Sequence, residues 1–196
     1  MKLQTRLHVQ TLTPADEATA IGVITDAFFH DPVVRWAYPD DDKYRTLFPA
    51  FAKAFGGGAF AAGSAFATND AAGAALWLPP GVHPDEEAMG ELLQALTGDH
   101  IGDLMGFIEV QANLHPTETH WYLPLMGVHP SKQGTGVGSA LLSHALSGCD
   151  EQHLPAYLEA TTPESRRLYE RHGFEVTGVI QFGSSPEMWP MWRAAR

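Results

Sequence analysis

Residues 121–160 constrain the fold more than any other part of the chain. The apolar run 121–128 (WYLPLMGV) is typical of a buried strand, and an amphipathic helix pattern at 134–149 then leads to a second apolar run, 155–160. A strand, a crossover helix and a second strand in one sheet form a parallel pair with a right-handed connection. The sequence therefore predicts a sheet that contains at least one parallel pair.

Three glycines, Gly134, Gly136 and Gly138, lie between the first strand and the helix. The first amides of a helix have no intrahelical acceptor, and the helix dipole adds about half a positive charge at that end. Glycine lets the backbone turn its amides toward an anion at close range, and Lys132 adds a cation beside them. The pattern predicts a phosphate or pyrophosphate site, although a tight strand-to-helix turn would also use glycine.

Two common phosphate-binding patterns fit this loop poorly. The P-loop pattern GxxxxGK followed by Ser or Thr does not occur in the sequence. A dinucleotide-binding loop would have the spacing GxGxxG, whereas this loop reads GxGxG and has Ser139 next, even though Glu159 lies about where a ribose-binding acid would be expected. Another phosphate compound is therefore favoured.

The rest of the chain predicts a mixed α/β (α+β) fold. Two prolines within 30–42 indicate breaks, and a single cysteine, Cys149, is expected in the core near a helix end. Asp99 is expected to cap the helix at 100–114. The predicted strands are 7–11, 64–70, 71–79, 119–128, 155–160 and a C-terminal hairpin around Gly183, and the predicted helices are 14–29, 43–55, 85–96, 100–114, 134–149 and 163–172. We therefore expect a central, mostly antiparallel sheet of six or seven strands with flanking helices.

Composition limits the function classes. A chain of 196 residues, of which 44% are hydrophobic, is expected to form one domain, and its formal net charge of −11 disfavours nucleic acid as a partner and favours a cationic small molecule. The sequence has neither an HExxH pair nor a thiol cluster, so no metal site is expected. It has no run of ~18 apolar residues and no apolar leader at its start, which predicts a cytoplasmic protein without a membrane partner. A homodimer is left open.

Two further motifs accompany the glycine loop. Residues 133–138 read QxxGxG, a Val-x-Pro step (Val128 to Pro130) precedes them, and RRLYERHGFE follows at 166–175. Together these residues resemble the coenzyme A loop and the following helix of the GCN5-related N-acetyltransferase (GNAT) superfamily, over residues 121–175. The resemblance implies a GNAT-like fold with a splayed parallel strand pair and acetyl-CoA as cofactor. It also implies one domain over 1–196, with acceptor-side helices in 1–118 and the CoA-binding half in 119–196.

The resemblance implies roles for particular residues. Tyr169 matches the family tyrosine near the thioester sulfur, where a protonated phenol can donate to the departing thiolate. Thr162 stands where the family often has Asn, and an N-cap role is the alternative for it. The cofactor-binding residues implied are Met126, Gly127, Val128, Gln133, Gly134, Thr135, Gly136, Val137, Gly138, Ser139, Thr162 and Ser165.

The expected activity is transfer of the acetyl group of acetyl-CoA to a primary amine of a small molecule, by direct attack in a ternary complex. His120 is the first candidate for the base, and Glu118, Glu159, His30 and Asp31 are alternatives. The candidate acceptor-binding residues are Asp31, Trp36, Tyr38 and Trp189, which offer an acid and aromatic walls. Two other functions stay open: a CoA-binding regulator without turnover, and an acyltransferase that acts on a protein N-terminus or lysine.

Overall fold

The computed structural model describes residues 7–96 and 101–196 and contains a seven-stranded sheet. The strand order is β1-β2-β3-β4-β5-β7-β6, and within it only β4 and β5 pair in parallel. The strands are β1 (Val9–Thr11), β2 (Ala65–Thr68), β3 (Gly73–Leu78), β4 (Trp121–Val128), β5 (Ala156–Ala160), β6 (Glu175–Val176) and β7 (Trp189–Arg193). This confirms the predicted meander, the parallel pair and the C-terminal hairpin.

Helices cover both faces of the sheet. They are α1 (Glu17–Phe28), α2 (Pro32–Ala37), α3 (Asp41–Gly56), α4 (Gly58–Ala61), α5 (Glu86–Ala95), α6 (Ile101–Leu114), α7 (Val137–Glu151) and α8 (Pro163–Arg171). Strand β3 is buried along its whole length because its side chains alternate between two cores. Leu76 packs with Tyr44 and Phe48 of α3 on one face, and Trp77 packs with Leu141 of α7 on the other. Cys149 is buried in the second core, as expected.

Helix α2 was not predicted. The start of the helix lies in the sequence Asp31-Pro32. Oδ1 of Asp31 accepts hydrogen bonds from the amides of Val33 and Val34, each at 3.0 Å, and Pro32 occupies the first helical position. Proline has a φ angle suited to a helix at that position. Its missing amide hydrogen costs nothing there, because the first amide of a helix has no intrahelical acceptor. The first proline therefore begins a short helix instead of breaking the chain. The Asp99 cap predicted for α6 lies outside the described residues.

Strands β4 and β5 separate after three paired residues. Their register runs only from Trp121↔Ala156 to Leu123↔Leu158, after which β5 continues to pair with β7 alone. At the same level β4 contains one extra residue relative to β3, and Pro124, which has no amide hydrogen, lies in this bulge. Residues 125–128 of β4 thus have an edge that no strand occupies.

The direction of the β4 backbone groups follows from one hydrogen bond. The His129 amide donates to the carbonyl of Ala72, on the β3 side, at 2.8 Å. Successive residues of a strand direct their backbone groups to opposite edges, so Gly127 also faces β3, whereas Met126 and Val128 face the opening. Two of the three β4 residues expected to meet a cofactor through their backbone therefore face the opening, although the Val128 carbonyl also accepts a hydrogen bond from Gln133 Nε2.

Within the described residues, no helix combines the length and the apolar character needed to cross a membrane.

Candidate active site

A cleft of about 1580 Å³ begins at the glycine loop, passes the opening between β4 and β5, and reaches α2, α5 and α6. Both halves of the chain line it. The predicted site residues that line it are Asp31, Trp36, Tyr38, His120, Met126, Gly127, Val128, Gln133, Gly134, Gly136, Gly138, Ser139, Thr162, Ser165 and Tyr169. The structure thus brings the cofactor-side and acceptor-side candidates into one continuous space.

The glycine loop has the geometry of an anion site. Gly134 and Gly136 have φ angles of 73° and 92°, and a Cβ atom at either position would meet open space. Ala140 is the first residue of α7 whose amide reaches a carbonyl, that of Gly136, at 3.0 Å. The amides of 137–139 therefore have no acceptor within the helix. Gln133 fixes the loop to β4, since its Nε2 donates to the Val128 carbonyl at 3.2 Å.

Thr162 and Ser165 form a capping box at the start of α8. The Ser165 amide donates to Thr162 Oγ1 at 3.1 Å, and the Thr162 amide donates to Ser165 Oγ at 3.2 Å. Both residues line the cleft, and their hydroxyls also contact each other at 3.0 Å. The box orients α8, the helix that carries Tyr169.

Tyr169 lies deep in the cleft wall, with 6% of its surface exposed. Its hydroxyl makes no hydrogen bond to another described residue. Burial, with smaller contributions from the charges of Asp31 and Glu159, raises the pKa of this phenol above its ordinary value. The group therefore stays protonated at neutral pH and can donate a proton to an atom in the cleft.

Asp31 is buried and its two oxygens are already engaged. One caps α2, as described above, and the other accepts a hydrogen bond from Thr161 Oγ1, in the loop after β5. Burial raises the pKa of this carboxyl. Asp31 thus joins α2 to the end of β5 and forms part of the cleft wall between the two halves.

His120 has a defined tautomer. Its Nδ1 lies 2.6 Å from the carbonyl oxygen of Glu118, and because a carbonyl can only accept, Nδ1 carries the hydrogen. Nε2 of the neutral ring then has a free lone pair. The ring contacts those of Tyr157 and Trp192, with centroids 5.6 and 5.7 Å apart. The geometry suits a proton acceptor held at a fixed angle.

His115 was not singled out from the sequence; it lies beside His120, with ring centroids 5.1 Å apart. It is enclosed by Tyr122 and Tyr157, at 4.9 and 4.7 Å. Burial, followed by the neighbouring His120, lowers the pKa of His115 to about 4. His115 is therefore a neutral imidazole at physiological pH, and only the folded sheet brings these rings together.

Glu159 lies at the same end of the cleft, next to the point where β5 leaves β4. Gln111 Nε2 of α6 donates to its Oε1 at 3.1 Å, and the Tyr122 hydroxyl of β4 donates to its Oε2 at 2.9 Å. Burial raises the pKa of this carboxyl, an effect that these hydrogen bonds only partly offset. Gln111 and Tyr122 also line the cleft, and neither was singled out from the sequence.

The aromatic candidates differ in position. Trp36 lines the cleft, contacts Phe107 at 5.6 Å and donates from Nε1 to Ser184 Oγ at 3.2 Å. Tyr38 belongs mainly to the core, where burial raises its pKa to about 12, and only borders the cleft. Trp189 lies outside the cleft lining, with the Arg166 guanidinium 5.7 Å from its ring centroid.

A splayed parallel strand pair, a glycine loop at the start of the crossover helix and a buried tyrosine on the next helix define a class of acyl-CoA-dependent acyltransferases. Residues 92–176 match the Acetyltransferase (GNAT) domain. An uncharacterised N-acetyltransferase of Schizosaccharomyces pombe is 27% identical, in a match that covers 81% of this chain and 70% of that protein.

Solved structures agree with this match. A structure described as histone acetyltransferase HPA2 and related acetyltransferase, from Corynebacterium glutamicum, is 28% identical, has a TM-score of 0.70 and covers 97% of both chains. Arylalkylamine N-acetyltransferase 2 of Aedes aegypti shares the fold at 13% identity, with a TM-score of 0.68 over 98% of this chain and 100% of that one. Residues 92–176 therefore match a GNAT acetyltransferase domain, and this match and the relatives indicate an acyl-CoA-dependent N-acetyltransferase; the GNAT family uses acetyl-CoA.

Proposed function

We propose that this enzyme transfers the acetyl group of acetyl-CoA to a primary amine of a small molecule, directly and within one cleft. The observation that carries the proposal is the continuity of the cleft from the glycine loop, past Tyr169, to the space between α2, α5 and α6. Two substrates can lie end to end there with their reacting atoms beside Tyr169. Proximity of this kind removes the need for a covalent acyl-enzyme. Buried Cys149, in the core under α7, is not a cleft residue.

The cofactor side supplies two kinds of backbone contact. The free amides of 134–139 bind the pyrophosphate, and Lys132 adds charge beside them. The backbone groups of Met126 and Val128 pair with the pantetheine amides as an added strand would. Thr162 and Ser165 border the same part of the cleft, and Gly127 contributes by letting α1 approach β4: a Cβ on it would lie 2.8 Å from that of Ala27.

The reaction is attack by the neutral amine on the thioester carbonyl. His120 Nε2 accepts the proton that the ammonium form must lose, directly or through water, and an amide of β4 near Val128 stabilises the oxyanion. The C–N bond forms, the C–S bond breaks, and Tyr169 protonates the departing thiolate. Asp31, Trp36 and Tyr38 form the wall against which the acceptor lies.

Isothermal titration calorimetry with acetyl-CoA tests the cofactor site. Wild type should bind in the micromolar range, and Gly136→Asp should abolish binding because it places a carboxylate against the phosphates. Gly63→Asp, in the turn before β2 and outside the cleft lining, is the matched control, since Gly63 also has a positive φ, 68°, and a Cβ there also meets open space. A release assay for free CoA with a panel of primary amines then tests transfer. Wild type that folds but does not bind acetyl-CoA would refute the proposal.

A further inference from the structure

Glu159 is a carboxyl without a cation. It is surrounded by protein, its side chain is partly open to the cleft, and no described residue forms an ion pair with it. Gln111 and Tyr122 donate to its oxygens, the Tyr157 hydroxyl lies beside it, and all three side chains are neutral. A carboxylate has about four lone-pair sites, so at least one is left for a ligand. Buried charges are ordinarily paired, so a cationic ligand would stabilise the charged form of this carboxyl.

Other carboxyls in the cleft are less suited to this role. Asp31 uses both oxygens in the cap of α2 and the bond to Thr161. Glu164 pairs with Arg167 at 2.5 Å on the exposed face of α8. Glu86 and Glu118 also line the cleft, but both are exposed, so water competes with them for a cation. Glu159 is therefore the carboxyl that a bound ammonium group would contact most strongly.

The wall beyond Glu159 is apolar. It comes from α2, α3, the end of β3, α5 and α6, and its side chains are Trp36, Phe51, Phe55, Leu78, Val82, Leu92, Leu93, Leu96, Leu104, Phe107 and Ile108. The cations that line the cleft in the described parts of the chain, Lys132, Arg167 and Arg171, all lie at the cofactor end. A ligand at the acceptor end thus meets one favourable site for a positive charge and a large apolar surface.

We propose that the acceptor is an amine with a single positive charge and an apolar body, whose ammonium group binds Glu159 and whose body packs against this wall. The inference rests on the proposed function and names its substrate class. Gln111 and Tyr122 hold the carboxyl in place from α6 and β4. A second ammonium on the same ligand would lie against apolar side chains without a partner, so polyamines are poor acceptors.

Steady-state assays of CoA release test the inference with 2-phenylethylamine, ethylamine and spermidine. Wild type should use 2-phenylethylamine with a kcat/KM at least about tenfold above that of ethylamine, which lacks the body, and above that of spermidine. Glu159→Gln keeps the shape but removes the charge, and should lower kcat/KM for 2-phenylethylamine by about 10- to 100-fold, mainly by raising KM. Its Kd for acetyl-CoA should not change. Glu86→Gln, which removes the same charge from an exposed residue of the cleft lining, should change kcat/KM less than about threefold.

The possible outcomes distinguish a failure of this inference from a failure of the proposed N-acetyltransferase function. A wild type that prefers spermidine, or a Glu159→Gln variant that behaves like Glu86→Gln, would overturn the inference and leave N-acetyl transfer intact. A wild type that binds acetyl-CoA but acetylates no amine would overturn both. If Glu159→Gln does not fold, the wild-type preference among the three amines still decides the substrate class.

Discussion

At the scale of the residue, a motif located Tyr169, but only the fold defines its chemistry. Its surroundings exclude water and raise its pKa, while its hydroxyl is left without a protein partner. His120 shows the same dependence, because the tautomer follows from the position of the Glu118 carbonyl. A buried proton donor and a fixed proton acceptor in one cleft can serve the two proton transfers of acyl transfer, to the departing thiolate and from the attacking amine.

Tyr169→Phe should lower kcat by roughly 10²- to 10⁴-fold, because the thiolate loses its proton donor. The Kd for acetyl-CoA should change little. The Tyr169 hydroxyl makes no hydrogen bond to another described residue, so the ring should keep its position when the hydroxyl is removed. Calorimetry for binding and the CoA-release assay for kcat measure the two effects separately.

Tyr44→Phe is the control for this substitution. The Tyr44 hydroxyl donates to the Thr25 carbonyl at 2.6 Å, in the core between α1 and α3. Its loss should cost about 1 kcal/mol of unfolding free energy and leave kcat unchanged. Equal kcat in wild type and Tyr169→Phe would remove Tyr169 from the mechanism.

At the scale of the element, helix termini carry much of the site. Asp31 begins α2, Gly136 begins α7 and Thr162 begins α8, and all three line the cleft. An N-cap sets both where a helix starts and where its free amides point. The site is therefore assembled largely from the first turns of helices around one splayed strand pair.

Thr162→Ala should lower the unfolding free energy by about 1 kcal/mol, because the Ser165 amide loses its acceptor. Thr162→Asn should restore most of that stability, since asparagine is among the best N-cap residues. Urea unfolding followed by far-UV circular dichroism measures both.

The same two variants decide whether Thr162 also contacts the cofactor. If its contribution is the cap, Thr162→Asn should bind acetyl-CoA within about threefold of wild type. A loss of affinity of about tenfold in both variants, with stability restored in Thr162→Asn, would show a direct contact.

Local patterns predicted most elements and most of the residues that line the glycine-loop end of the cleft. The strand, glycine loop and helix at 121–149 are contiguous in sequence, so short-range rules suffice for them. The acceptor half is different: Gln111, Tyr122 and Glu159 come from α6, β4 and β5 and meet only through sheet pairing and helix docking. Helix α2 was missed although its Asp-Pro start is a local signal, because both prolines of that segment were interpreted as breaks.

At the scale of the whole molecule, one sheet joins the two halves of the chain. β3 lies in 1–118 and β4 in 119–196, yet they pair from Gly73↔Val128 to Leu78↔Tyr122. Both cores also take residues from both halves: Tyr122 and Tyr157 pack with α1 and α3, and Trp77 packs with α7. We therefore propose that 1–196 forms a single domain in which neither half has a core of its own.

The single domain should unfold in one cooperative transition. Tryptophan fluorescence, which reports on Trp36 and Trp77 in the first half and on Trp121, Trp189 and Trp192 in the second, should give the same urea midpoint as far-UV circular dichroism. Acetyl-CoA at about 100 times its Kd should raise the unfolding free energy by about 2.7 kcal/mol, because it binds the folded state alone. Both probes should shift together, although the loop proposed to bind the pyrophosphate lies only in 119–196. Two transitions, of which acetyl-CoA moves one, would mean that the halves fold separately and that the β3–β4 pairing does not couple them.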